Sequence, residues 1–216
     1  MLIACWSAKG GSGTTVVAAA LATILARSSP GALLVDLDGD LPAALGIAEP
    51  AGPGIADWVA AGDDVPDDAL ARLELDVAPG LSLLPRGSGD LDGTGARGDA
   101  LVAALGAGDR AVVVDCGDGP TGFALAVAAG AERSLLVLRL CYLGLRRAVH
   151  APLRPSGVVL VQEPRRALHP DDVSHALGVP VQAIVPLDDR VARAVDAGLL
   201  VARLPAAYLR ALRDVA

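Results

Sequence analysis

Aromatic side chains are nearly missing: one Phe, two Trp and two Tyr in 216 residues. The 53% hydrophobic content is instead Ala, Val and Leu, which argues against disorder and suits helices laid against a Val/Leu-rich parallel sheet. Cysteine is scarce and odd in number. Cys5, Cys116 and Cys141 are too scattered for a disulfide framework or a metal-ligand spacing, and His150, His169 and His175 show no such spacing either. Long apolar runs are absent too: the longest, Val16 to Ala26, has 11 residues and is broken by Thr23, whereas a membrane span needs about 20. The N-terminus has no charged stretch leading to a cleavage site, so a reducing cytoplasm is the expected setting.

Lysine is the rarest cation. Lys9 is the only one among 18 basic residues, the rest being arginine. The net charge of −7 is unevenly spread, with 14 acids and 5 bases in residues 1–108 (−9) against 11 acids and 13 bases in 109–216 (+2). An anionic partner would prefer the second half.

The pattern of the chain is strand, loop, helix, repeated. Leu2 to Trp6 reads as a strand, Ser7 to Gly13 as a glycine-rich turn and Thr14 to Arg27 as a helix. Further strands are predicted at Ala32 to Val35, Ala111 to Val114, Leu135 to Leu140, Val158 to Val161 and Val181 to Val185. Helices are predicted at Asp68 to Leu75, Gly122 to Ala131 and Asp171 to Leu177, and a low-complexity surface loop at Gly87 to Gly98. Alternation of this kind predicts an α/β fold: a mostly parallel central sheet with helices on both faces, in one domain spanning residues 1–216.

A glycine-rich turn between strand and helix gathers backbone N–H groups around an anion, and the helix dipole adds positive potential there. Ala8 to Thr15 is such a phosphate loop, with Gly10, Gly11 and Gly13 as its cradle. The common pattern G-x-x-x-x-G-K-[ST] would place Gly at 8 and Lys at 14, where this chain has Ala8 and Thr14. Its one lysine stands instead at position 9, beside the glycines. P-loop proteins hold Mg²⁺ through the loop hydroxyl and a carboxylate at a neighbouring strand end, which makes Thr15 and Asp115 the candidate metal residues. Asp36 and Asp38 end the second strand on one side of its pleat. One of them can orient a water for attack on a terminal phosphate; turn chemistry is the plainer alternative for all three acids.

These residues resemble the ParA/MinD group of deviant Walker-A P-loop ATPases, whose loop reads K-G-G-x-G-K-[ST], here Lys9-Gly10-Gly11-Ser12-Gly13-Thr14-Thr15. The likeness continues through Val35-Asp36-Leu37-Asp38, Asp115, the segment 135–148, and Leu177-Gly178-Val179-Pro180 followed by Ile184-Val185-Pro186. It implies ATP and Mg²⁺ as ligands and a homodimer. By that likeness Lys9 reaches the partner subunit's phosphates, Thr15 touches Mg²⁺, Asp38 positions the water and Asp115 holds Mg²⁺ through water. Thr14 removes the lysine that would contact the phosphates from within the subunit, a charge-assisted contact worth about 1.5–3 kcal/mol, or roughly 10- to 150-fold. In this the chain is most similar to the CpaE/TadZ branch, associated with positioning pilus-assembly or septum machinery. The switch after Asp115 reads Cys-Gly-Asp-Gly-Pro, without the family's proline two residues on.

Three readings follow: an ATP-binding regulatory or positioning protein with weakened or absent hydrolysis, a competent ATPase in which Lys9 acts across a dimer, and a nucleotide-free scaffold. DNA binding through Arg146, Arg147, Arg154, Arg165 and Arg166 has little support in an acidic chain. Membrane contact through 204–216 has little either, because that stretch is only weakly amphipathic and is expected to dock on the body.

Overall fold

In a computed structural model, which describes residues 1–27, 30–62, 65–66, 68–93 and 96–216, the first strand is the axis of the fold. Strand β1 (Leu2–Ser7) is buried along its whole length, and helix α1 (Thr14–Leu25) follows it across the phosphate loop. The elements then run β2 (Ala32–Asp36), α2 (Leu41–Leu45), α3 (Ile55–Ala60), β3 (Leu75–Ala78), β4 (Leu81–Leu84), α4 (Ala96–Gly106), β5 (Ala111–Asp118), α5 (Gly122–Gly130) and β6 (Arg133–Arg139). They finish with α6 (Tyr142–Val149), β7 (Gly157–Gln162), α7 (Pro170–Leu177), β8 (Val181–Pro186), α8 (Asp189–Asp196), α9 (Leu200–Arg203) and α10 (Ala206–Ala211).

The eight strands form one sheet in the order β3-β4-β2-β5-β1-β6-β7-β8, parallel except for β3 against β4. Because side chains alternate across a strand, β1 sends Leu2, Ala4 and Trp6 into one apolar layer and Ile3 and Cys5 into the other. The first layer is covered by α3, α4, α5 and α7, and the second by α1, α2, α8, α9 and α10. Burial on both faces is what gives the strands their unbroken Val/Leu runs.

The order of strand addition reverses about β1: the connection through α1 leads to β2 on one side, while β6 pairs on the other. Ligands of open parallel sheets bind outside the carboxyl ends of strands at such a point. The phosphate loop stands there.

Two sequence expectations need correction. Asp68 to Leu75 is no α-helix but a single 3₁₀ turn at Ala71–Leu73 running into β3. The Pro79-Gly80 pair, with Gly80 in the left-handed region at φ 74°, turns the chain back so that β3 pairs with β4, and sheet pairing outweighs a short helical preference. The Gly87 to Gly98 loop ends early, since α4 begins at Ala96; residues 94 and 95 lie outside the described residues. Leu91 within it is buried, and its carbonyl accepts the Phe123 amide at 3.0 Å. The C-terminal stretch docks as expected, burying Tyr208, Leu212 and Val215 in the second layer. Among the described residues no helix is long and apolar enough to cross a membrane.

Helix α1 fixes the loop, and its residues 17 to 22 are fully buried. Leu21→Ala is therefore expected to cost about 2–5 kcal/mol. Urea titration should show the midpoint falling at an unchanged slope.

Candidate functional site

Nothing in the sequence of the loop can form a regular element, so its shape comes from glycine and from hydrogen bonds to its own backbone. Gly11 and Gly13 take φ of 73° and 88°, a left-handed conformation that side chains resist, and Gly13 caps the N-terminus of α1. The Ser12 hydroxyl donates to the Lys9 carbonyl at 2.6 Å and the Ser7 hydroxyl to the same oxygen at 3.2 Å, which closes the turn from within. Gly10 and Gly11 are exposed, Ser12 and Thr14 are buried, and Gly13 and Thr15 are half-buried. Lys9 lies at the lip, its Nζ donating to the Gly10 carbonyl at 3.1 Å.

Strand register brings the carboxylates to this loop. Asp36 of β2 and Cys5 of β1 are the in-register neighbours of Asp115 on either side of β5, and Ser7 pairs with Asp118. Asp36 and Asp115 are both fully buried, yet they are satisfied very differently. Asp36 Oδ1 accepts the amides of Asp38 (3.1 Å) and Gly39 (2.7 Å), and Oδ2 accepts that of Leu41 (3.3 Å). It is the turn former that shapes the end of β2. Asp115 Oδ1 accepts one amide, that of Gly117 at 3.2 Å, and its buried Oδ2 has no hydrogen-bond partner among the described residues.

Burial pushes the Asp115 pKa up to about 7; the neighbouring Thr15 hydroxyl draws it down in part, although it completes no regular hydrogen bond to Oδ2, and the charge of Asp36 raises it further. Asp36 is raised to about 6, again by burial, against the three amides that favour its charged form. Asp38 stands at the surface with one side shielded: its carboxylate lies over Gly117, where a Cβ would come within 2.2 Å of Oδ1. That shielding raises its pKa, as do the charges of Asp40 and Asp118, while Arg86 lowers it.

A buried carboxylate oxygen without a partner costs free energy unless something positive satisfies it. Thr15 and Asp115 fit a hard cation that takes oxygen ligands and keeps part of its water shell. No cluster of three or more His, Cys, Asp or Glu side chains suited to a metal occurs among the described residues, so such an ion would rest on few protein ligands.

Residues missed at the sequence level complete the surroundings. Arg86, one residue beyond the Pro85 that ends β4, faces Asp38; with Asp36, Pro42, Glu49 and Pro85 it lines a polar cavity of about 260 Å³. A lone arginine after an apolar run was its only signal. On the other side of the loop, an apolar cavity of about 270 Å³ is bounded by Gly11, Gly13, Val16, Val161, Leu187 and Val191. Nothing marks it in the sequence, because it forms where the ends of β7 and β8 meet α1.

The five arginines considered for DNA fall in different surroundings. Arg166 pairs with Glu163, Arg154 donates to the Gly178 carbonyl at 3.4 Å, and Arg146 and Arg147 line a separate apolar cavity of about 530 Å³ beside α6. Cys5 and Cys116 are buried free thiols, and Cys141 caps α6 by accepting the Gly144 amide.

Comparison with known proteins gives a consistent result. The family model of the CobQ/CobB/MinD/ParA nucleotide binding domain matches residues 3–201. No curated protein sequence matches. Among solved structures, the septum site-determining protein MinD complexed with Mg-ADP from Pyrococcus horikoshii superposes with a TM-score of 0.79 at 21% identity, covering 99% of this chain and 93% of that one. A ParA family ATPase from Chlorobium tepidum gives 0.79 at 20% identity, covering 99% and 97%, and MinD of the MinC:MinD cell division complex from Aquifex aeolicus gives 0.78 at 21%, covering 99% and 92%.

The raised carboxylates set a pH dependence. Each binds its proton more tightly folded than unfolded, so its stabilising contribution is full below about pH 4 and is lost as pH rises through about 6 for Asp36 and about 7 for Asp115. In the absence of divalent cations, thermal melts should therefore show lower stability at pH 8 than at pH 5. Asp115→Asn should flatten the upper part of that decline.

Proposed function

Because the chain belongs to the CobQ/CobB/MinD/ParA nucleotide-binding domain family, we propose that it binds ATP with Mg²⁺ at residues 9–15 and acts as a regulatory or positioning switch in which hydrolysis is weakened or absent. The observation that carries this reading is Asp115 Oδ2, buried and unpartnered directly beside Thr15 at the start of α1. A loop kept only for its shape has no use for that cost.

In this reading the amides of Gly10, Gly11, Ser12, Gly13, Thr14 and Thr15 bind the phosphates, aided by the dipole of α1. The apolar cavity beside Gly11 and Val16 takes the base. Thr15 and Asp115 hold Mg²⁺, which supplies neutralisation of phosphate charge when bound. Asp38, held at the surface beside Gly117, orients water. Lys9 projects from the exposed lip toward a second subunit, and the dimer is the working form. Thr14, a neutral side chain where the family's deviant Walker-A loop carries lysine, weakens the phosphate contact within the subunit. That departure favours the CpaE/TadZ-like branch and a role in placing division, pilus or partitioning machinery. The protein partner belongs to the same proposal: MinD of Aquifex aeolicus is found in complex with MinC, and a partner of comparable regulatory kind suits a slow switch.

The second reading, a competent ATPase, rests on the position of Lys9, whose ammonium makes one hydrogen bond among the described residues, to its neighbour's carbonyl. Turnover that rises steeply with protein concentration and disappears in Lys9→Ala would select it. Calorimetry with Mg-ATP tests the main proposal: micromolar binding is expected, with Thr14→Lys tightening it about 10-fold or more. Absence of heat for both proteins would leave the nucleotide-free scaffold as the correct reading.

A further inference from the structure

The switch segment carries an acid that the proposed site does not use. Asp118 is three residues beyond Asp115, at the end of β5, paired in register with Ser7; the next amide, Gly119 N–H, donates to the Ser7 carbonyl at 2.7 Å. Asp118 is thus fixed to the strand that leads into the phosphate loop. Its carboxylate lies against Gly10: a Cβ built there would be 3.3 Å from Oδ2 and 3.7 Å from Oδ1. It is also close enough to Asp38 to raise that group's pKa. Among the described residues no ion pair neutralises Asp118, and Lys9 turns to the Gly10 carbonyl instead.

Position along the loop decides what this charge meets. The apolar cavity proposed for the base borders Gly11, Gly13 and Val16, whereas Gly10, next to Gly11 but outside that lining, faces Asp118, whose charge also reaches Asp38. With the base in that cavity, as the proposed function has it, a nucleotide lying along the loop would bring its last phosphate toward Gly10 and Asp118. There the phosphate encounters like charge, with Thr14 offering no cation in return. We propose that Asp118 is a specificity-determining residue that makes binding of the terminal phosphate conditional on a divalent cation, so that metal-free nucleoside triphosphate is rejected while the diphosphate, which stops short of Gly10, is much less affected.

This inference rests on nucleotide binding at the loop, and the test separates the two. ATP and ADP are titrated calorimetrically into the full chain in excess Mg²⁺ and in excess EDTA, using the unmodified protein, Asp118→Asn, and Asp214→Asn as a control for net charge at the far end of the chain; melting curves establish that each is folded. Asp118→Asn is expected to tighten metal-free ATP by about 10-fold, equivalent to 1.4 kcal/mol. Its effect on Mg-ATP and on ADP should stay within about 3-fold, and the gain in EDTA should shrink at 0.5 M salt, as an exposed charge requires. Equal effects of Asp118→Asn and Asp214→Asn, or equal shifts for ATP and ADP, would overturn the role of Asp118 while leaving nucleotide binding intact. No binding by any of the three proteins even with Mg²⁺ would overturn the nucleotide reading, and this inference with it.

Discussion

The register of β5 between β1 and β2 is the constraint on which the site depends. Asp115 pairs with Cys5 on one side and Asp36 on the other, so three neighbouring strands are held in register at one level under the phosphate loop. A slip of one residue would turn Asp115 to the opposite face and send Val114 into its place. What prevents the slip is the two-sided burial of the strands, since Val112 and Val114 belong to one apolar layer and Val113 to the other. The core and the site are therefore one arrangement, and the loop inherits its precision from hydrophobic packing below it.

Two acids at that level have opposite meanings, and their hydrogen bonds separate them. Asp36 is surrounded by three backbone amides and shapes the turn from β2 into α2. Asp115, equally buried, accepts one amide and leaves an oxygen bare. Desolvation is the largest cause of the raised pKa in both cases, but the backbone offers three compensating amides at Asp36 and one at Asp115. Asp115 thus carries a desolvation cost that the described groups around it offset only in part.

Most of the architecture was legible because a buried parallel strand leaves an unmistakable trace: Ala111 to Val114, Leu135 to Leu140 and Val158 to Val161 are runs that only a sheet covered on both faces accommodates. The edge was not legible. Leu75 to Ala78 is short and half exposed, with an acid in the middle, so pairing with β4 rather than intrinsic preference makes it a strand. At the site, the place of the glycine loop between β1 and α1 and of Asp115 beside it could be read from spacing, since the loop is contiguous in sequence. Asp36 and Asp38 could be gathered as a pair but not separated, because which one faces the turn amides depends on backbone geometry. The placement of Arg86 beside Asp38 and of Asp118 beside Gly10 was beyond sequence reasoning, as different strands bring them there.

The single lysine gains meaning from this setting. Arginine offers a wide planar fork that grips a carboxylate in two places, and in this acidic chain Arg110, Arg139, Arg166 and Arg190 all hold acids in that way or as simple ion pairs. Asp118 lies against Gly10, the next residue along, and a guanidinium at position 9 would be drawn to an acid so placed. Lysine is a compact, strongly hydrated charge on a flexible stem, better able to remain at the lip without being captured. Its contact with the Gly10 carbonyl, rather than with Asp118, matches that preference.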